Sequence, residues 1–101
     1  FGAGSTVAQL SIEKAEISSS TGAVLVQVKD SGNVKLSSVS PTLAGVASWV
    51  PASADLDPGQ VVTFTATGSG FTAGASYTVV VRGTYKAADD IAAQFTIIAG
   101  P

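Results

Sequence analysis

Apolar and polar residues alternate with a period of two along most of the chain, which is the pattern of β-strands. Val24, Val26 and Val28 share one face of such a segment. No stretch keeps a 3.6-residue period over the length of a helix. The pattern predicts about seven strands, at Thr6 to Ile17, Ala23 to Lys29, Val34 to Val39, Val46 to Val50, Val61 to Thr67, Ser76 to Tyr85 and Ile91 to Ala99.

The residues between the predicted strands have the composition of turns. Asp30-Ser31-Gly32-Asn33 predicts a tight turn that joins the second and third strands in a hairpin. In Asp57-Pro58-Gly59-Gln60, Pro58 fixes φ at the second position of a β-turn and Gly59 supplies a positive φ at the third. A phase slip at Glu13-Lys14 predicts a bulge in the first strand, and Lys86 to Asp90 is predicted as a loop.

Short strands with turns every ~8–12 residues are typical of two antiparallel sheets packed as a sandwich. A chain of 101 residues has the length of one domain. We therefore predict a single β-sandwich over residues 7–101, preceded by a flexible lead-in at residues 1–6. The side chains predicted to face the core include Val62, Phe64, Ala66, Tyr77, Val79 and Val81, and the last strand carries Ile91, Ala93, Phe95 and Ile97 on one face.

The segment from Phe71 to Val81 resembles the tyrosine corner of immunoglobulin-like and fibronectin type III domains. In that corner a Gly turn precedes a Tyr whose hydroxyl binds the backbone a few residues upstream. Gly74 and Tyr77 are the matching residues, although Ala73 stands where these domains usually have Pro. The alternative is that Tyr77 only begins a strand. The fold class is therefore predicted as an all-β, immunoglobulin-like or fibronectin III-like sandwich of about seven antiparallel strands.

Trp49 is the one tryptophan of the chain. We predict that it lies in the core between the sheets, because lone tryptophans are usually well buried. The alternative is an exposed anchor for a partner.

Two residue types that carry much of enzymatic catalysis are missing from the sequence. It has no His and no Cys, so Ser-His-Asp and Cys-His catalysis are excluded. The side chains that zinc prefers as ligands are absent for the same reason. We predict that the protein is not an enzyme and that it binds no cofactor. Asp55, Asp57, Asp89 and Asp90 are the candidates for a calcium ion, with solvated turn and loop positions as the alternative.

Charged residues are few, and the Lys and Arg residues are scattered along the sequence. Charged residues make up 12% of the chain, and the net charge is -2. No run of Lys or Arg supplies the positive surface that nucleic-acid binding requires. No apolar run reaches the ~18 residues of a membrane span. The first residue is Phe1 rather than Met, from which we expect that a segment was removed upstream.

Several short motifs follow one another in a defined order. They are Leu10-Ser11-Ile12-Glu13, a valine strand that runs into Asp30-Ser31-Gly32-Asn33-Val34, Ser48-Trp49, Leu56-Asp57-Pro58-Gly59-Gln60, and Gly74 to Val81. This order resembles the extracytoplasmic β-domain of archaeal type IV pilin-like proteins, which include archaellins, adhesion pilins and archaellum accessory proteins. The resemblance covers nearly all of the chain.

The resemblance implies a structural subunit or accessory protein of an archaeal cell-surface filament, either a pilus or an archaellum. In that family an apolar N-terminal helix precedes the β-domain, and Phe1 to Thr6 would form the exit from it. Contact with a membrane would be made through that helix alone. The expected location is outside the cell, at the cell surface or in the archaeal pseudo-periplasm.

Two other functions fit the same sequence. One is a secreted adhesion or binding module of the fibronectin or CARDB-like kind. The other is a filament subunit whose segment Ser5 to Ile17 completes a neighbour's sheet and is unpaired in the monomer. The expected partners are a second copy of the chain or a surface-layer protein. The predicted contact residues are the outward apolar side chains Leu25, Val61, Val80 and Ile98, unless a loop covers them.

Overall fold

The computed structural model describes residues 7–86 and 89–101, with the side chains of Lys86 and Asp89 left out, so the predicted lead-in lies outside it. The described residues form seven strands and no helix. The strands are β1 Leu10–Ile17, β2 Ala23–Asp30, β3 Leu36–Thr42, β4 Ala54–Leu56, β5 Val61–Thr67, β6 Ser76–Lys86 and β7 Asp89–Ile98. All paired strands are antiparallel, in one sheet of order β1-β2-β5 and one of order β4-β3-β6-β7. The predicted all-β immunoglobulin-like sandwich is confirmed.

The core fills the space between the two sheets. Alternate residues of each strand point inward, because successive side chains of a strand lie on opposite faces. The fully buried large side chains include Phe64 of β5, Val26 of β2, and Val79 and Val81 of β6. Trp49 is also buried against this cluster, from the connection between β3 and β4.

The first strand is shorter than predicted, since it begins at Leu10 rather than at Thr6. Its pairing with β2 shifts register between Ile12 and Lys14, which is the predicted bulge. β1 pairs with β2 of the same chain from Leu10 to Ile17. The unpaired N-terminal arm expected for a strand-exchange subunit is therefore not found over β1.

The predicted hairpin between β2 and β3 is wrong. β2 lies between β1 and β5, whereas β3 belongs to the other sheet. The end of β2 is held instead by the turn that precedes β5, because Asp30 N–H donates to Gln60 O and Gly59 N–H donates to Asp30 O. The chain therefore crosses from one sheet to the other after Asp30.

Two further predicted boundaries are wrong. Val46 to Val50 is not a strand, because only Val50 pairs there, with Thr65. The short strand of this region is β4, whose three residues are too few to show an alternation in the sequence. β6 extends to Lys86 and β7 begins at Asp89, so strands occupy most of the predicted loop, and its remaining residues 87–88 lie outside the described part.

Residues 7 and 101 lie at opposite ends of the sandwich. At one end Val7 N–H donates to Asn33 Oδ1 over 2.8 Å, and Asn33 N–H donates to Val7 O over 2.9 Å. At the other end Gly100 N–H donates to Ile17 O over 2.9 Å, and Ser18 Oγ donates to Pro101 O over 3.1 Å. Both ends of the described chain are thus tied to the body of the domain.

A candidate interaction surface at the uncharged pole

The charged residues of the chain are unevenly placed in the sequence. Four long segments, residues 17–28, 36–54, 58–81 and 91–101, contain no Asp, Glu, Lys or Arg. Strand register brings the ends of these segments together, since Ile17 pairs with Val24, Ala23 with Thr67, and Ser76 with Ile98. One end of the sandwich is therefore built without charge. We call residues 17–24, 42–51, 65–78 and 96–101 the uncharged pole.

The opposite end carries charged residues on several strands and turns. Lys29 of β2 pairs with Ser11 and Val61, and Asp90 of β7 pairs with Thr84. Lys35 precedes β3, while Asp55 lies in β4 and Asp57 directly follows it. We call the end that holds Lys29, Lys35, Asp55, Asp57 and Asp90 the charged pole. The division matters because the cores of protein–protein interfaces are depleted of charged residues.

The loops of the uncharged pole are joined to one another by backbone hydrogen bonds. Gly68 N–H donates to Gly22 O over 2.8 Å, and Ser69 N–H donates to Gly45 O over 3.1 Å. Gly22 has a φ of 74°, and a Cβ at this position would overlap the carbonyl oxygen of Gly68. Glycine is therefore required there, because it allows the positive φ and the close approach of the two loops.

The tyrosine corner also lies at the uncharged pole. Thr72 N–H donates to Tyr77 Oη over 2.7 Å, and Tyr77 Oη donates to Gly70 O over 3.4 Å. The rings of Phe71 and Tyr77 meet edge to face, with centroids 5.2 Å apart and an interplanar angle of 84°. Gly74 has the positive φ, 84°, of the turn between them. These bonds fix the loop before β6, so the pole has a defined shape.

An open groove of about 730 Å³ lies on the outer face of the β1-β2-β5 sheet at the uncharged pole. Its lining is almost entirely apolar or hydroxyl-bearing: Ile17, Ser18, Ala23, Val24, Leu25, Ser48, Val50, Thr65, Ala66, Thr67 and Pro101, with Glu16 at the rim. Glu16 is paired with Lys14 over 3.3 Å. Val50 is 70% exposed. Such a lining suits the burial of a protein surface through apolar contacts and hydroxyl hydrogen bonds.

The four predicted contact residues do not form one patch. Leu25 lines the groove and is half-buried, whereas Val61 lies on the same face at the charged pole and is 48% exposed. Ile98 is 63% exposed on the outer face of the other sheet. Val80 lies on that face in β6 and is half-buried, because it is flanked by its partners Thr42 and Gln94. Val50, which is not among the four, is more exposed than any of them.

The calcium candidates are engaged in local hydrogen bonds. Asp55 Oδ1 accepts from Ser38 N–H over 3.2 Å, and Asp90 Oδ1 accepts from Thr84 Oγ1 over 2.8 Å. Asp57 begins a β-turn in which Gln60 N–H donates to Asp57 O and Gly59 has a φ of 87°, next to Pro58. Within the described residues, no three acidic, His or Cys side chains are grouped as metal ligands. The side chain of Asp89 lies outside the description.

Asp30 is buried, although the sequence predicts that it begins a turn. Its side chain has no solvent exposure; Oδ1 accepts from Gly32 N–H over 3.1 Å, and Oδ2 has no hydrogen-bond partner. Burial raises the pKa of this carboxyl, the Gly32 hydrogen bond opposes that rise, and the Asp57 charge adds to it. A valine strand that ends in Asp-Ser-Gly looks like a strand followed by a turn, so no local pattern indicates this burial.

Comparison with known proteins bears on the fold. No family model matches the chain, and no curated protein matches it. One solved structure with a similar fold is a chain of the CsuC–CsuE chaperone–tip adhesion subunit pre-assembly complex from the archaic chaperone-usher Csu pili of Acinetobacter baumannii. The TM-score is 0.56 and the sequence identity 12%, over 93% of this chain and 56% of that chain. This chain therefore spans about half the length of that protein, and at such identity the likeness shows the fold alone.

The described residues include no helix of the length and hydropathy needed to cross a membrane.

Proposed function

We propose that the chain is a structural module of an extracellular filament or similar surface appendage, and that it acts through protein–protein contacts at its uncharged pole. The observation that carries the proposal is the absence of charge from a whole end of the domain, together with the groove that opens there. A solvated surface normally mixes charges of both signs, whereas the core of an interface lacks them. The module supplies a rigid, preformed surface and performs no chemical reaction.

The similarity to a chain of a pilus pre-assembly complex supports this proposal at the level of fold. Domains of this architecture can serve in appendage assembly, although one fold hosts many functions. The more specific form of the proposal is an archaeal pilus or archaellum, as subunit or accessory protein. Its support is the order of sequence motifs given above, from Leu10 to Val81. The corresponding location is the cell surface or the space beneath a surface layer.

A secreted adhesion module is the second candidate, and one observation favours it. Residues 7 and 101 lie at opposite ends of the sandwich, and each is hydrogen-bonded to the domain. Consecutive domains of a tandem array need this arrangement, because the polypeptide enters each domain at one end and leaves it at the other. In such an array the uncharged pole would face the next domain of the same polypeptide.

Mass spectrometry of appendages sheared from the source cells tests the proposal. We expect the chain in the appendage fraction as a major component, with a mature form that continues upstream of Phe1 into an apolar helix if the pilin-like form is right. A chain found within a larger polypeptide of repeated β-domains would support the adhesion module instead. A chain absent from appendages and recovered only from the medium or the cell interior would overturn the proposal.

A further inference from the structure

We infer that the partner of the groove is the same groove of a second copy of this chain, so that two domains associate about a two-fold axis through their uncharged poles. This inference rests on the proposed function, because it names the partner of the same surface. The interface would comprise the end of the domain and the adjoining outer face of the β1-β2-β5 sheet, with Thr67 near its centre and Leu25 and Val50 in the row farthest from the pole.

The distribution of charge selects this partner. In a two-fold contact the residues near the axis lie close to their own copies, so any charge at the centre would face a like charge. The uncharged pole has none. Contact with the charged pole of a second copy would instead take Lys29, Lys35, Asp55 and Asp57 out of water against a surface that offers no counter-charge, which is costly. The uncharged pole of a second copy is therefore the surface of this chain that best matches the uncharged pole.

The size of the domain indicates how far the contact extends. The cross-section is 21 × 20 Å, so an end-on contact alone would bury about 800 Å² in total, which is the size of a crystal-packing contact. A specific dimer buries about 1,200–2,000 Å². The contact must therefore continue from the end of the domain along the groove. The row of Glu16, Leu25 and Thr65 marks where it would stop, because Glu16 is the first charged residue along β1 from that pole.

The groove is also suited to packing against a copy of itself. Ala23 and Thr67 are exposed partners on neighbouring strands, and Leu25 and Thr65 form the next row. Two outer faces that meet here would bury Leu25 and Val50 of each copy while the surrounding hydroxyls bond across the contact. Association would be almost independent of salt, because it would use no ion pairs.

Sedimentation equilibrium of charge variants tests the inference. Thr67→Glu and Thr67→Lys each place like charges at the proposed centre, and each is expected to weaken dimerisation at least about tenfold. An equimolar mixture of the two should restore it, because opposite charges then meet. Thr63→Glu is the matched control, an exposed threonine on the same face of β5 outside the groove, and it should dimerise like the parent chain. Urea unfolding of each variant verifies that the fold is intact.

The outcomes separate this inference from the proposed function. A parent chain that stays monomeric at its highest soluble concentration overturns the inference, as does a dimer that Thr63→Glu disrupts and Thr67→Glu does not. If that monomer is nevertheless a component of surface appendages, the proposed function stands and the groove has another partner. A dimer that behaves as described, in a protein absent from appendages, would leave the inference standing and remove the function.

Discussion

Phe64→Ala is expected to lower the free energy of unfolding by about 3–5 kcal/mol, the usual cost of truncating a buried aromatic side chain. Phe64 is the largest fully buried side chain of the domain and packs from β5 between the two sheets. Its removal loses apolar burial and leaves a cavity that the valines of β2 and β6 can fill only in part. Because small domains are stable by about 5–15 kcal/mol, the variant should be close to unfolding at ambient temperature.

Urea unfolding followed by Trp49 fluorescence measures this effect. Phe95→Ala is the matched control, because Phe95 has the same side chain on edge strand β7 and is 43% exposed. It should cost clearly less than Phe64→Ala. Equal losses for the two variants, or a loss below about 1 kcal/mol at Phe64, would show that the core is not centred between the sheets as described.

Asp30→Asn is expected to raise the free energy of unfolding at neutral pH by about 1 kcal/mol, although it removes an ionisable group. Leaving a buried polar group unsatisfied costs about 1–3 kcal/mol, and a charged one costs more. Asp30 has a fully buried side chain whose Oδ2 has no hydrogen-bond partner. Asparagine keeps an oxygen that can accept from Gly32 N–H but carries no charge.

The pH dependence follows from the direction of the pKa shift. Burial raises the pKa of Asp30 above its ordinary value of 3.8. Between the ordinary and the raised pKa, the folded state binds more protons than the unfolded state, so stability falls as pH rises. The stability that protonated Asp30 contributes to the folded state is fully present below pH 3.8 and is lost as pH rises past the folded pKa. The difference in the free energy of unfolding between Asp30→Asn and the parent chain should therefore be small in acid and increase toward neutral pH.

Asp57→Asn is the control for this effect. The Asp57 charge adds to the raised pKa of Asp30, but burial is the larger cause. This variant should shift the pH profile in the same direction as Asp30→Asn and by less. Thermal unfolding of the three proteins across the acid range measures the profiles. A parent chain that becomes more stable than Asp30→Asn as pH rises would contradict the burial of an unpaired carboxylate.

The sequence predicted the parts of the fold that depend on alternation and on turn chemistry. The valines of β2, the core residues of β5 and β6, the bulge in β1 and the Asp57–Gln60 turn all follow from local pattern. The pairing of strands does not, because a turn after β2 can close a hairpin or cross between sheets. That choice depends on the hydrogen bonds between Asp30 and the distant residues Gly59 and Gln60.

The candidate site was predictable only in part. Strand alternation identifies outward apolar residues one position at a time, so it predicts Leu25 in the groove but also Val61 at the other pole. The uncharged pole depends on which segment ends meet in space, so it appears only when strand order is known. Val50 was missed because its exposure depends on the single bridge to Thr65 at the edge of β5.

Chemical labelling of single cysteines in the native assembly tests the central claim, that the uncharged pole is the contact surface. The chain has no Cys, so Thr67→Cys and Thr63→Cys each report one position on β5. Both should react readily with a water-soluble maleimide in the dilute, isolated domain, because both threonines are exposed. In the assembly we predict strong protection of Thr67→Cys and unchanged labelling of Thr63→Cys. Equal labelling of the two positions, or protection at Thr63→Cys alone, would contradict the account.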